Sequence, residues 1–346
     1  MTTSSTEDLH LNGATVLHGD CIERMQELPD GSVQMCVTSP PYFGLRDYGV
    51  EGQVGHEPTP AEYVEKLVSV FREVHRVLRD DGTLWLNLGD SYASFRDGKA
   101  TPDTTRGDSN GTLVPKGSAR NRSASTFAGT GIKHKDLIGI PWRVAFALQA
   151  DGWHLRQDII WHKPNPMPES VRDRCTKAHE YVFLFSKQPK YYYDHEAVKE
   201  PLSDPKRTNF KSGGGVDSSR NDADKAERSR TQVFTSKNRR SVWTIPTRPY
   251  KGAHFATFPT ALIEPCVLAG SREGDTVLDP FSGSGTTGQV CIETDRHYLG
   301  IELNQEYIDL SRSRLQAALE EKGGSTPGSH DLTNSSMFSP TYVEGL

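Results

Sequence analysis

Residues 38–42 read Thr-Ser-Pro-Pro-Tyr, and residues 279–288 read Asp-Pro-Phe-Ser-Gly-Ser-Gly-Thr-Thr-Gly. The first run suits a planar, amino-bearing ring. The amino nitrogen of such a ring is a poor nucleophile, because its lone pair is delocalised. Accepting hydrogen bonds from both N–H groups pushes the nitrogen toward tetrahedral geometry and frees that lone pair. Ser39 Oγ and the Pro40 carbonyl are two acceptors at suitable spacing. Pro41 stiffens the loop and lowers the entropy cost of alignment. Tyr42 offers a ring on which a base can stack. Taken alone, the run is also an ordinary proline-rich turn after a strand.

The second run satisfies GxGxxG through Gly283, Gly285 and Gly288. A strand precedes it, a helix follows, and Glu302 ends the next strand. Such glycines let a nucleoside ligand approach the backbone, and the acid can accept hydrogen bonds from ribose hydroxyls. A plain glycine turn remains the alternative. Two cofactors compete for this loop. A dinucleotide would place its pyrophosphate on the helix N-terminus. S-adenosylmethionine has an ammonium instead, for which Asp279 offers a carboxylate that would be awkward beside pyrophosphate. Only one strand is evident after the motif, too little for the usual dinucleotide sheet unless the fold is permuted.

The elements that must position these runs follow from periodicity. Ala14–His18 reads as a strand, Cys21–Leu28 as a helix and Val33–Val37 as a buried strand ending at Thr38. Tyr63, Leu67, Val70, Phe71, Val74, Val77 and Leu78 recur at three- and four-residue spacing across a helix, Ala61–Arg79. Asp80-Asp81-Gly82 ends it, and Thr83–Leu88 is a strand. A helix over Leu137–Ala150 precedes strands at Trp153–Trp161 and Tyr181–Phe185. Then come a helix over Thr260–Leu268, a strand at Thr276–Leu278, a helix over Thr286–Glu293, a strand at Tyr298–Ile301 and a helix over Asn304–Leu319. This alternation predicts an α/β fold with a doubly wound, mostly parallel sheet. Open α/β sheets place ligands at the carboxyl ends of their strands, where both runs sit.

The 346 residues allow one large α/β domain with insertions or two small ones, with 34% hydrophobic residues and a mean hydropathy of -0.61. No apolar run approaches a membrane span and no secretory signal is present. Five cysteines without a CxxC pair argue against a disulfide framework or a metal site, and a reducing cytoplasm fits best. The net charge of -5 is unevenly spread: residues 95–135 carry eight Lys/Arg against three Asp, and 200–240 carry ten against six acids. These segments either contact nucleic-acid phosphates or are solvated loops. The Gly/Ser/Thr/Pro-rich tail, 323–346, is expected to be disordered.

Thr38–Tyr42 followed far downstream by Asp279–Thr287 resembles the amino-methyltransferases of DNA, in the permuted arrangement called the β group. The resemblance covers most of residues 14–322. It implies a circularly permuted, Rossmann-like methyltransferase domain over 1–322, using S-adenosyl-L-methionine and acting on double-stranded DNA by base flipping and direct transfer. Ser39, Pro40, Pro41 and Tyr42 then form the catalytic run. Asp20 inherits a place near the cofactor adenine; Asp279, Phe281, Gly283, Gly285, Thr286 and Thr287 match the cofactor loop; Glu302 matches the ribose-binding acid. His254–Pro259 resembles a stretch walling the methionine end. Serine at 39, where many relatives carry Asp or Asn, points to N4 of cytosine, with N6 of adenine as the alternative. An RNA or protein-amide methyltransferase, a DNA-binding module without catalysis and a dinucleotide oxidoreductase are further alternatives. A cognate restriction endonuclease is a possible partner.

Three further residues are candidates for the substrate: Arg46 and Lys163 for phosphate, His162 for base or phosphate. Arg46 with Asp47 is equally a surface ion pair, and His162-Lys163 equally a polar strand end. Asp90 and Tyr92, after another strand, could border the same pocket, with a plain structural role the favoured reading. Segment 200–240 is the expected DNA target-recognition segment, with the basic insertion 95–135 as an accessory clamp. Pro265-Cys266 resembles the nucleophile of carbon-directed cytosine methylation. Its apolar helical setting instead predicts a buried structural cysteine.

Overall fold

The computed structural model describes residues 7–44, 52–93, 127, 129–202, 235–247 and 258–324. In chain order its elements are β1 (Leu9–Leu11), β2 (Ala14–His18), α1 (Cys21–Gln26), β3 (Val33–Thr38), α2 (Pro60–Val77) and β4 (Leu78–Leu88). Next come α3 (Ile140–Ala150), β5 (His154–His162), β6 (His179–Ser186), β7 (Glu200–Pro201), β8 (Ser236–Lys237) and β9 (Val242–Thr244). The chain then forms α4 (Thr260–Gly270), β10 (Thr276–Asp279), α5 (Thr286–Glu293), β11 (His297–Glu302) and α6 (Gln305–Gly324).

Nine strands form one sheet in the order β1-β2-β11-β10-β3-β4-β6-β5-β9, and β7 pairs with β8 apart from it. β1 runs antiparallel to β2, and β6 runs antiparallel to both β4 and β5; the other ladders are parallel. Helices cover both faces. α1, α2 and α3 pack on one core with Cys36, Leu84 and Leu86. α4, α5 and α6 pack on the other with Met35, Val37 and Trp85. Every residue of β3 is buried, as a central strand covered on both faces requires.

β10 and β3 are neighbours at the centre. From β10 the chain moves to β11 on one side, and from β3 it moves to β4 on the other. This reversal opens a crevice at the carboxyl ends of both strands. The strand bearing the glycine motif is central yet late in the chain, as the permuted order implies. β5 is parallel to β4 across the antiparallel β6. His162 therefore lies on the same sheet edge as Thr38, and so does the start of β6.

Several boundaries differ from the sequence reading. α2 stops at Val77, and Leu78 already belongs to β4. The β3–β4 ladder jumps from Val33–Leu78 to Met35–Thr83, so Asp80-Asp81-Gly82 bulges out of a strand instead of preceding it. α3 starts at Ile140, not Leu137, because Gly139 is left-handed at φ 78°. β1 and β9 are additions, each three residues long and too short to show a period. The Gly213–Gly215 run lies outside the described residues.

Candidate active site at the ends of β3 and β10

The ends of the two central strands are bonded to each other. Thr38 Oγ1 donates to Asp279 Oδ1 at 2.6 Å, and Thr287 Oγ1 donates to Oδ2 at 2.7 Å. The Phe281 amide adds a third donor to Oδ1 at 3.1 Å. Asp279 has no exposed surface. Burial pushes its carboxyl up to about 6, against the pull of the three donors. Sequence reading expects this carboxylate to face an ammonium. In the structure it is enclosed, and its contacts make it a strut between the two motifs.

The glycine turn above it is braced from three sides. Gly283 and Gly285 have φ of 52° and 76°, a left-handed region that glycine enters without strain. Glu302 Oε2 accepts from the Gly283 amide at 2.8 Å and Oε1 from the Asn304 amide at 2.9 Å. Burial raises the Glu302 carboxyl to about 7. Ser311 Oγ donates to the Gly283 carbonyl, Tyr298 to Ser282 Oγ, and Arg314 to Thr286. At Gly288 an added Cβ would lie 2.6 Å from the Tyr298 ring and 2.7 Å from Leu315. That third glycine lets α5 sit on β11 and α6.

The loop fits a nucleoside cofactor on three observations. Among the described residues, an added Cβ at Gly283 would meet only the Phe281 carbonyl, at 3.9 Å, which leaves room at the turn for a ligand. Ser284 Oγ is buried in the turn and has no hydrogen-bond partner among the described residues. The two Glu302 oxygens offer about four lone-pair sites, more than their backbone donors fill, which leaves capacity for a ribose hydroxyl. The Asp20 segment lies beside this acid, since His18 pairs with Glu302 and the Gly19 amide donates to the Glu302 carbonyl at 2.9 Å. Asp20 itself caps α1, accepting from the Ile22 and Glu23 amides at 2.8 and 3.1 Å. Asp90 likewise accepts from the Gly139 and Ile140 amides at the start of α3.

The Ser39–Tyr42 run continues from β3 and is pinned from below. The Tyr63 hydroxyl of α2 donates to the Pro41 carbonyl at 2.8 Å, and buried Phe43 packs on the Tyr63 ring. Pro40 is buried, while Ser39 and Pro41 keep partial exposure. Tyr42 donates its hydroxyl proton to Glu180 Oε2 at 2.7 Å, with Asn87 Oδ1 at 3.3 Å. Burial and the adjacent Glu180 charge hold the phenol well above its ordinary pKa, so it stays a donor. Lys163 Nζ pairs with Glu180 Oε1 at 2.5 Å and sits 4.2 Å from the Trp161 ring centre. Lys163, expected to meet a phosphate, is thus turned inward and 18% exposed.

His162 lies on the same edge, with Nδ1 3.1 Å from Thr244 Oγ1. Arg46, Asp47 and His254–Thr257 lie outside the described residues, as do 94–126, 128, 203–234 and 325–346. Phe258 packs on the second core and Pro259 precedes α4. Cys266 is fully buried in α4, its thiol donating to the Leu262 carbonyl and pushed up by burial, as a structural cysteine should be. Glu180, Asn87 and Gly89 were missed by sequence reading. Glu180 stands 138 positions from Tyr42, and only the β4–β6 pairing brings them together.

Residues 33–313 match the sequence profile of the N6/N4 methyltransferases, described as DNA methylase. The chain belongs to this DNA methylase family. The methylase is 50% identical to the Type II methyltransferase M.Cfr9I of Citrobacter freundii over 311 residues, 90% of each chain. It is 51% identical to M.SmaI of Serratia marcescens over 306 residues, 88% of this chain and 92% of the relative. Among solved structures, the PvuII DNA methyltransferase, titled cytosine-N4-specific, superposes with a TM-score of 0.58 at 18% identity over 90% of this methylase and 92% of that chain. A DNA modification methylase of Thermus thermophilus, solved with S-adenosyl-L-methionine, superposes at 0.53 with 23% identity, over 87% and 93%. These two likenesses establish a shared methyltransferase fold.

Proposed function

We propose that this DNA methylase moves a methyl group from S-adenosyl-L-methionine to the exocyclic N4 of cytosine in duplex DNA. The observation that carries the reading is the Thr38–Asp279 bond, which sets the two motifs side by side at one crevice. Bound there, S-adenosyl-L-methionine supplies an electrophilic methyl on a sulfonium. Glu302 would take the ribose hydroxyls, the 18–20 segment would border the adenine, and the Phe281–Thr287 turn would hold the methionine end.

Ser39 Oγ and the Pro40 carbonyl accept the two amino protons of the target and point its lone pair at the methyl carbon. The N–C bond forms as the C–S bond breaks, and the amino proton then leaves to water. No general base is needed before transfer. A base in a duplex must be flipped out first, at a cost of a few kcal/mol. Stacking on Tyr42 returns about 1–3 kcal/mol. Serine at 39 and the family resemblance favour cytosine over adenine.

Residues 200–240 serve as the recognition segment and 95–135 as a clamp, both within one domain over 1–322. In this reading His162 borders the flipped base and Arg46 meets a phosphate. Calorimetric titration followed by methyl transfer tests the reading. S-adenosyl-L-methionine should bind, NAD should not, and a labelled methyl should appear on duplex DNA. Deleting 200–240 should abolish specific DNA binding and spare cofactor binding. Label on RNA alone, or normal methylation by the deletion variant, would overturn it.

A further inference from the structure

The Tyr42 ring is fixed at its edge and on its face by residues outside the Ser39–Tyr42 run. Glu180 Oε2 takes its hydroxyl proton at 2.7 Å and also accepts from Asn87 Nδ2 at 3.2 Å. Asn87 is held in turn by the Tyr181 carbonyl at 3.0 Å. The other carboxylate oxygen is held by Lys163, whose ammonium rests over Trp161. Strand register builds this arrangement. β6 faces β4 on one side and β5 on the other, so Glu180 lies opposite Trp161 and beside Asn87. Beneath the ring lies Gly89, where a Cβ would come within 2.5 Å of Tyr42 Cε2. Glu180 and Lys163 are only 16% and 18% exposed, so this ion pair is not a solvated surface contact.

The geometry points to Glu180 as a positioning residue for methyl transfer, holding Tyr42 as a preset stacking platform over Gly89. This rests on the reading of Ser39–Tyr42 as the acceptor site. Glu180 has no hydrogen bond to the cofactor loop among the described residues, and the Tyr42 hydroxyl that it holds also bonds the Ser39 side chain. It acts by fixing where the Tyr42 face stands before the base arrives, which removes an ordering cost from the reactive complex. Lys163 holds the carboxylate by its other oxygen, so that Oε2 is oriented to accept from Tyr42.

Single-turnover methylation of duplex DNA with S-adenosyl-L-methionine tests this in wild type, Tyr42→Phe, Glu180→Ala, Glu180→Gln and the Tyr42→Phe/Glu180→Ala double variant. Tyr42→Phe and Glu180→Ala should each slow the transfer step by about tenfold, as expected for a hydrogen bond to a charged group. Their losses should not multiply in the double variant, because one bond serves both. Glu180→Gln keeps an oxygen acceptor and should recover most of the rate. The dissociation constant for S-adenosyl-L-methionine should stay within about twofold throughout, since the cofactor loop is untouched. Multiplying losses, or a Glu180→Gln variant as slow as Glu180→Ala, would overturn the role of Glu180. If Glu180→Ala does not fold, comparing Glu180→Gln with Tyr42→Phe decides: a Gln variant at least as slow as the Phe variant refutes it. Full activity in Tyr42→Ala would instead refute the acceptor-site reading itself.

Discussion

The Thr38 hydroxyl donates to the buried Asp279 carboxylate across 2.6 Å, and this bond ties the strand ending in Ser39-Pro40-Pro41-Tyr42 to the strand ending in the glycine turn. Two motifs whose bonded residues stand 241 positions apart in sequence are thereby held in one register. Replacing Thr38 by Val keeps the shape and removes the donor. A buried carboxylate deprived of a partner costs about 1–3 kcal/mol. Thr38→Val should therefore lower the stability read from urea midpoints by that amount and weaken both cofactor binding and turnover, whereas Thr38→Ser should stay close to wild type. A Val variant with unchanged stability contradicts the strut.

If Ser39 accepts an amino proton as proposed, its loss should be felt in the chemical step alone. Removing one hydrogen bond that strengthens as the amino nitrogen turns tetrahedral should lower kcat by about 10- to 100-fold. Affinity for S-adenosyl-L-methionine should not change in Ser39→Ala, because the cofactor loop lies on the neighbouring strand. Equal losses in binding and turnover would show a collapsed loop.

Gly288 closes the packing between α5, β11 and α6. An alanine there would press its methyl into Tyr298 and Leu315. Overpacking of this kind costs about 1–3 kcal/mol. Thermal melting of Gly288→Ala should show the loss, with cofactor affinity falling as the turn shifts. An unshifted melting curve would mean that helix and strand have room to part.

Glu302 makes stability depend on pH in a definite direction. Its folded pKa is raised by burial to about 7, so the folded state holds this proton more tightly than the unfolded chain does. That contribution is present in full below the unfolded glutamate value and is lost as pH rises through about 7. The wild type should therefore lose stability relative to Glu302→Gln between pH 5 and pH 8, by an amount on the order of 2 kcal/mol after allowing for its partial exposure. Urea midpoints of the two proteins at both pH values check this. Parallel pH profiles would contradict it.

The six apolar positions of α2 from Tyr63 to Val77 and the strand–glycine–helix–acid succession around Gly283 are legible because periodicity and turn chemistry are local. The permuted order followed from where the glycine run stands. β1 and β9 were not legible as three-residue strands, although Asn12-Gly13 before β2 is a hairpin signal that pattern reading passed over. Asp20 read as a ligand group, yet Asp20-Cys21-Ile22-Glu23 is also a helix-start pattern, and its carboxylate caps α1. Glu180 and Asn87 were invisible for a different reason. An acid and an amide on adjacent strands become partners of Tyr42 only when β6 inserts antiparallel between β4 and β5, and no spacing along the chain encodes that insertion.

Identifying the modified nucleoside tests the central claim most directly. Duplex DNA treated with the pure protein and S-adenosyl-L-methionine, digested to nucleosides and resolved by mass spectrometry, should contain N4-methylcytosine. N6-methyladenine as the sole product would contradict the assignment of Ser39–Tyr42 to cytosine.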